Sequence, residues 1–152
     1  MSEQAMKAKA PAKSSRRRSR ELALQGVYQW LLVGGDSAQI EKQIGDEKGL
    51  GRYDAEFFSQ LLNGVLKQHA DLEAVVTPHL DRKLAEVSPI EFSVLLLGAY
   101  ELMQHPEIPY RVIINESVEL AKTFGGTDGH KFVNGVLDKL AAQVRTVEVS
   151  AK

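Results

Sequence analysis

Apolar residues recur in adjacent pairs four positions apart along most of this chain, and that recurrence constrains the fold more than any other feature. Phe57-Phe58, Leu61-Leu62 and Val65-Leu66 form one such ladder. Ala23-Leu24, Val27-Tyr28 and Leu31 form a second, and Phe132-Val133, Val136-Leu137, Leu140 and Val144 a third. At 3.6 residues per turn, pairs at this spacing line one side of an α-helix, whereas a half-buried strand alternates with period two. No segment alternates that way over a useful length. The pattern predicts an all-α protein of about seven helices.

Punctuation between the ladders places the helices. Ser14 or Ser15 is a good N-cap for a first helix that reaches Val33 and stops at Gly34-Gly35. Asp36 then caps a short second helix to about Ile44, and Gly45 to Gly51 is a charged, glycine-rich connection. A third helix starts at Tyr53 or Asp54; its periodicity fades over 67–71 and resumes at Leu72, Val75 and Val76 until Thr77-Pro78. A short fourth helix is predicted over Leu80 to Val87. Ser88-Pro89-Ile90-Glu91 supplies a serine cap, a proline at the first helical position and a glutamate spaced to close a capping box. The helix it opens, to about Gln104, is apolar around most of its circumference and should be the central one. After His105-Pro106 a further helix spans about Pro109 to Phe124, and after Gly125-Gly126 the last is capped by Thr127 or Asp128. Gly135 within it costs up to ~1 kcal/mol relative to alanine, which predicts a close helix crossing there.

At 152 residues the chain has the length of one domain with room for a substantial core. It has no cysteine, so disulfide frameworks and thiolate metal sites are excluded. No apolar run approaches the ~18 residues a bilayer span needs, and no signal-peptide core follows the basic N-terminus. The net charge of −1 conceals an asymmetry. Residues 4–20 hold Lys7, Lys9, Lys13, Arg16, Arg17, Arg18 and Arg20 and no acid; the other 12 cations face 20 acids, so the remainder sits near −8. Residues 1–13, Ala/Lys-rich and without apolar periodicity, read as a disordered basic extension.

The run Arg16-Arg17-Arg18-Ser19-Arg20 would occupy the first turns of the first helix. There each cation opposes the helix dipole by roughly 0.3–1 kcal/mol at low salt. An anionic partner such as a phosphate backbone would supply the missing negative charge. The alternative is a solvated basic tail.

A search for catalytic chemistry returns nothing. His69, His79, His105 and His130 show no paired metal-ligand spacing, and the glycine pairs match neither a Walker loop nor a dinucleotide fingerprint. Glu101, Glu116 and Glu119 lie in regular helices, and no nucleophile–base constellation is present. No metal, cofactor or enzymatic activity is expected; the positive signal is for binding.

Five stretches stand out together: Arg16-Arg17-Arg18-Ser19-Arg20-Glu21 running into Tyr28-Gln29-Trp30; Ala99-Tyr100-Glu101-Leu102; and Ile108-Pro109-Tyr110-Arg111-Val112-Ile113-Ile114-Asn115-Glu116. Glu119-Leu120-Ala121-Lys122 and His130-Lys131-Phe132-Val133-Asn134-Gly135-Val136-Leu137-Asp138 complete the set. On these residues, over about 15 to 145, the chain resembles the NusB family of bacterial transcription antitermination factors. The resemblance implies an all-helical fold of two packed helical subdomains, with a NusB-like RNA-binding domain over 14–146 and a tail over 147–152. It also implies binding of single-stranded boxA RNA together with ribosomal protein NusE. Through that complex the chain would join other Nus factors and RNA polymerase in the cytoplasm and suppress premature termination, notably of rRNA transcription, without membrane association.

Carried onto this sequence, the resemblance implies RNA contacts by Arg16, Arg17, Arg18 and Arg20. It implies a second RNA-facing patch at Pro78, His79 and Arg82, where His79 stands at a position often occupied by tyrosine. It turns Glu91, Asp128 and Phe132 toward the protein partner. The residues themselves also allow that Glu91 closes a capping box, Asp128 complements a helix dipole and Phe132 fills a core stripe. Two other readings compete: the NusB-like domain of an rRNA cytosine-5 methyltransferase, and a helical adaptor whose basic end is incidental.

Overall fold

The computed structural model describes residues 2–151, with side chains described for residues 15–151; residues 2–13, expected to belong to a disordered basic extension, are helical in it. Among the described residues there are eight α-helices, two 3-10 turns and no strand. They are α1 (Ser2–Val33), α2 (Ser37–Gly45), α3 (Ala55–Lys67), α4 (His69–Val76), α5 (Pro89–Gln104), α6 (Tyr110–Phe124), α7 (Gly129–Val144) and α8 (Thr146–Ser150). The chain divides into two compact units, 1–64 and 65–152.

In the first unit the apolar ladders of α1 and α3 are buried as their spacing requires: Leu22, Ala23, Leu24 and Val27, with Phe57, Phe58, Leu61 and Leu62, are at most 2% exposed. Ile40 and Ile44 of α2 complete the core. The helices cross closely at Gly26, where an added Cβ would meet Leu62 Cδ1 at 2.7 Å and Ile44 Cδ1 at 3.2 Å. Asp54 caps α3, its Oδ1 accepting the Phe57 N–H at 3.0 Å. The Asp54 N–H in turn donates to Ser19 Oγ at 2.8 Å, and Ser19 is fully buried. Ser19 is therefore a docking point between α1 and the start of α3.

The second unit is built on α5. Eleven of its sixteen residues are buried, which matches the expectation from its apolar circumference. An added Cβ at Gly98 would meet Leu137 Cδ1 of α7 at 2.8 Å and Ser117 Oγ of α6 at 2.9 Å, so three helices converge there. The close crossing expected at Gly135 is absent: nothing lies within 4 Å of a Cβ at that position, and the residue is exposed. The small residue that the packing demands is on α5, not α7.

Three further elements differ from the sequence expectations. The stretch Leu80 to Val87 forms only a 3-10 turn at Leu84–Glu86. Val87 alone is buried there, so little apolar surface is available to hold a full helix, and Val87 is extended ahead of Ser88-Pro89. The resumed periodicity at Leu72 belongs to a separate helix, α4, and α8 occupies most of 147–152. No described helix is long and apolar enough to cross a membrane.

The C-terminal end of α5 is closed by Arg145, a residue that sequence reasoning passed over. Its side chain is buried and donates to the carbonyls of Leu102 at 2.7 Å, His105 at 2.9 Å and Ile108 at 3.1 Å. It also pairs with Glu148 Oε1 at 2.6 Å, while Glu148 Oε2 accepts the Tyr110 N–H at 2.8 Å. One ion pair thus holds the end of α5, the start of α6 and α8.

Candidate nucleic-acid interface

The arginine run lies within α1, which is continuous from Ser2. Ser14 and Ser15 are therefore not its cap, and the helix-dipole cost, confined to the first turn, does not bear on these arginines. Their environment is set by helical geometry instead. Ser15 and Ser19, four residues apart, form the buried side. Arg16 and Arg20, also four apart, flank the Phe57 ring, with guanidinium carbons 4.3 Å and 5.1 Å from its centroid. Arg16 remains exposed and its Nε stands 3.9 Å from Asp54 Oδ2, but Arg20 is only 5% exposed. Arg18 is half-buried, donating from Nε to the Leu50 carbonyl and from Nη1 to Glu21 Oε1, both at 2.8 Å. Arg17 is exposed. The four arginines thus divide into two that present charge to solvent, 16 and 17, and two held against the protein, 18 and 20.

In the second unit Pro78 is exposed on the 3-10 turn Thr77–His79, and His79 Nε2 is 2.7 Å from Gln143 Oε1. Arg82 lies over Phe132, 4.0 Å from guanidinium carbon to ring centroid, and its Nε donates to Asp81 Oδ1 at 2.8 Å. That hydrogen bond is the main cause holding the Asp81 carboxyl below its usual range and raising Arg82. Glu91 and Glu86 add further negative potential at Arg82.

Glu91, Asp128 and Phe132 are brought together around the α6–α7 turn. The Ser88 hydroxyl accepts the Glu91 N–H at 3.2 Å, which is half of the expected capping box. The other half is missing because the Glu91 carboxylate turns away from the cap: Oε2 accepts the Gly126 N–H at 3.2 Å. It fits there because Gly129 has no side chain; a Cβ at that residue would overlap the carboxylate. Glu91 is 9% exposed and Phe132 8%. Asp128 occupies the N-cap position of α7 without a side-chain cap hydrogen bond; it is exposed and lies 3.5 Å from Lys131. Among the described residues no group of three or more His, Asp or Glu is placed to hold a metal ion.

The model of the NusB family matches residues 17–142. The chain belongs to the NusB family. It is 58% identical over 139 residues to the transcription antitermination protein NusB of Nitrosomonas eutropha, covering 91% of this chain and 83% of that protein. To the NusB of Ralstonia pickettii it is 57% identical over 146 residues, covering 96% and 94% of the two chains. Among solved structures, T. maritima NusB superposes with a TM-score of 0.75 at 31% identity, covering 84% of this chain and 91% of that one. A chain from the crystal structure of antitermination factors NusB and NusE in complex with dsRNA shares the fold, with a TM-score of 0.76 at 24% identity over 84% of this chain and 96% of that one.

On this NusB-family frame, two residues matter that the sequence did not single out. Phe57 reads as one rung of a core ladder, yet its ring also carries Arg16 and Arg20; the signal was the i, i+4 spacing of the two arginines. Asp81 sits beside Arg82 in sequence, and only the structure shows it bonded to the guanidinium.

Proposed function

We propose that this NusB-family chain acts in antitermination by binding boxA-type single-stranded RNA together with ribosomal protein NusE, as part of a cytoplasmic complex with other Nus factors and RNA polymerase. It acts by binding alone, without catalysis. The observation that carries the reading is the pair of exposed arginines on α1 in the first unit, and separately the exposed, ring-stacked Arg82 in the second. Arg16 and Arg17 meet phosphates; Arg18 and Arg20 hold the basic segment in place and add to its potential. Arg82, with Pro78 and His79, forms the second RNA-facing patch. Asp128, exposed and uncommitted to its helix cap, is the partner-facing charge, and the nearly buried Glu91 and Phe132 shape the same α6–α7 turn region.

The test is a salt titration of a short boxA-like RNA, with the single strand and its duplex compared, with and without NusE. For single strands the log–log salt slope changes by about 0.7 per phosphate neutralised, so Arg16→Ala with Arg17→Ala should flatten it by roughly 1.4. In the partner arm, Asp128→Asn should change NusE affinity while the melting temperature stays level. Unchanged slope and RNA affinity in the arginine double variant would overturn the assignment of α1, and a protein that binds NusE but no RNA would be an adaptor.

A further inference from the structure

Arg82 and Phe132 meet in a way that the assignments above leave unused. Phe132 belongs to the ladder of α7, and Arg82 lies on the irregular segment between the two 3-10 turns. The guanidinium carbon is 4.0 Å from the ring centroid, close enough for the ring to fix the guanidinium plane. Asp81, 2.8 Å from Nε, fixes its rotation within that plane. Among the described residues no hydrogen bond is formed by the two Nη groups, and the side chain keeps 39% of its surface exposed. A guanidinium held on one edge and one face, with its other edge unused, is preorganised for two parallel hydrogen bonds to a phosphate.

We propose that Phe132 is a positioning residue for RNA: its ring holds the Arg82 fork in the orientation that grips a phosphate. The proposal rests on the reading of Arg82 as RNA-facing and gives a second duty to a ring which that reading turns toward the protein partner. Physically the contribution is one of order. A free arginine loses rotamer freedom when it binds, whereas one already lying on a ring and tied at Nε has lost most of it beforehand. Leucine at 132 keeps an apolar filling of the site but offers no flat face, so Arg82 would regain its freedom. Lysine at 82 keeps the charge but has neither the plane nor the fork.

The experiment measures fluorescence anisotropy of a labelled boxA-like RNA with the full chain and no partner protein. Its variants are Phe132→Leu, Arg82→Ala, Arg82→Lys and the double variant Phe132→Leu with Arg82→Ala. Phe132→Leu should weaken RNA binding by about threefold to tenfold, the range expected for restoring the freedom of one long side chain. In the Arg82→Ala background the same change should cost nothing further, because the fork it positions is gone; a general structural defect would persist there. Arg82→Lys, a surface change, should weaken binding to the same degree as Phe132→Leu, and it stands as the test if the leucine variant fails to fold. If Arg82→Ala weakens binding while Phe132→Leu or Arg82→Lys matches the unaltered protein, the positioning role is overturned and the RNA assignment of Arg82 survives. A Phe132→Leu loss that persists undiminished in the Arg82→Ala background overturns it equally. RNA binding unchanged by Arg82→Ala removes both.

Discussion

Replacing Arg145 with alanine takes away a side chain that closes the open end of the central helix. The last carbonyls of an α-helix lack partners within it; in α5 that of Leu102 receives the Arg145 Nε–H at 2.7 Å, while Glu101 O and the C-cap His105 O, which also accept the backbone N–H groups of His105 and Ile108, receive guanidinium N–H groups at 3.5 and 2.9 Å. Ile108 O, in the connection to α6, receives another at 3.1 Å. Arg145 is 8% exposed, so water does not simply take its place. Each buried acceptor left without a donor costs ~1–3 kcal/mol, and removing one member of a buried ion pair costs ~3–5 kcal/mol. These figures overlap, since the same carbonyls and the same charge are counted in both. Glu148, the ionic partner, is also better solvated than Arg145 and can rehydrate.

A loss of ~3–4 kcal/mol is therefore the expected cost, a large fraction of a typical domain's stability. With urea m-values of ~1–3 kcal/mol/M, the unfolding midpoint should fall by about 2 M. Urea unfolding followed by circular dichroism measures it, with Glu148→Gln as the comparison. That variant leaves the guanidinium on its carbonyls and should cost much less. A loss below ~1 kcal/mol for Arg145→Ala, or equal losses for the two variants, would refute the claim that the carbonyl contacts dominate over the ion pair.

The helical glycines make opposite predictions. Gly135→Ala, at an exposed position with empty space around it, should stabilise by about 0.5–1 kcal/mol. Gly98→Ala, which must displace Leu137 and Ser117, should destabilise by ~1–3 kcal/mol; thermal melts of both would decide, and matching shifts would end the argument. Glu148 is held below the usual carboxyl range, first by the Tyr110 N–H and then by Arg145. Its stabilisation is thus complete above the ordinary glutamate range and is lost as pH falls through the lowered value. The stability gap between the protein and Glu148→Gln should close on acidification, and a gap that stayed constant from pH 7 to the acid limit would contradict this.

How much of this was legible in the sequence depends on how local its cause is. The helices α3, α5, α6 and α7 follow from apolar spacing and from the proline and glycine punctuation, both of which are local signals. The burial of α5 was legible too, because its apolar circumference leaves no polar face to expose. What failed depended on partners distant in sequence. The space around Gly135 and Gly98 is set by side chains of other helices, so the pattern within α7 alone points to the wrong glycine for the crossing. The Glu91 carboxylate had two acceptable donors, the cap and the α6–α7 turn, and only the position of Gly126 and Gly129 selects the second. Arg145 is one basic residue at the end of an amphipathic helix, and nothing local distinguishes it from a solvated cation.

The arginine run shows the same limit from the functional side. Seven cations without an acid between residues 4 and 20 make the N-terminal end an obvious candidate for meeting anions. Yet net charge does not report which groups are available. A simple solvated tail would expose all of its residues, whereas here Ser19 is fully buried and Arg20 is 5% exposed. The run is therefore part of the first unit's packing on one side and a cationic surface on the other. Helical geometry makes this division: residues 15 and 19 turn inward, 16 and 20 share the Phe57 ring, and 17 stays exposed. Neutralising the whole segment would disturb both properties at once and could not tell an RNA contact from a packing defect. Replacing only the exposed pair, with stability measured alongside the salt slope, separates them.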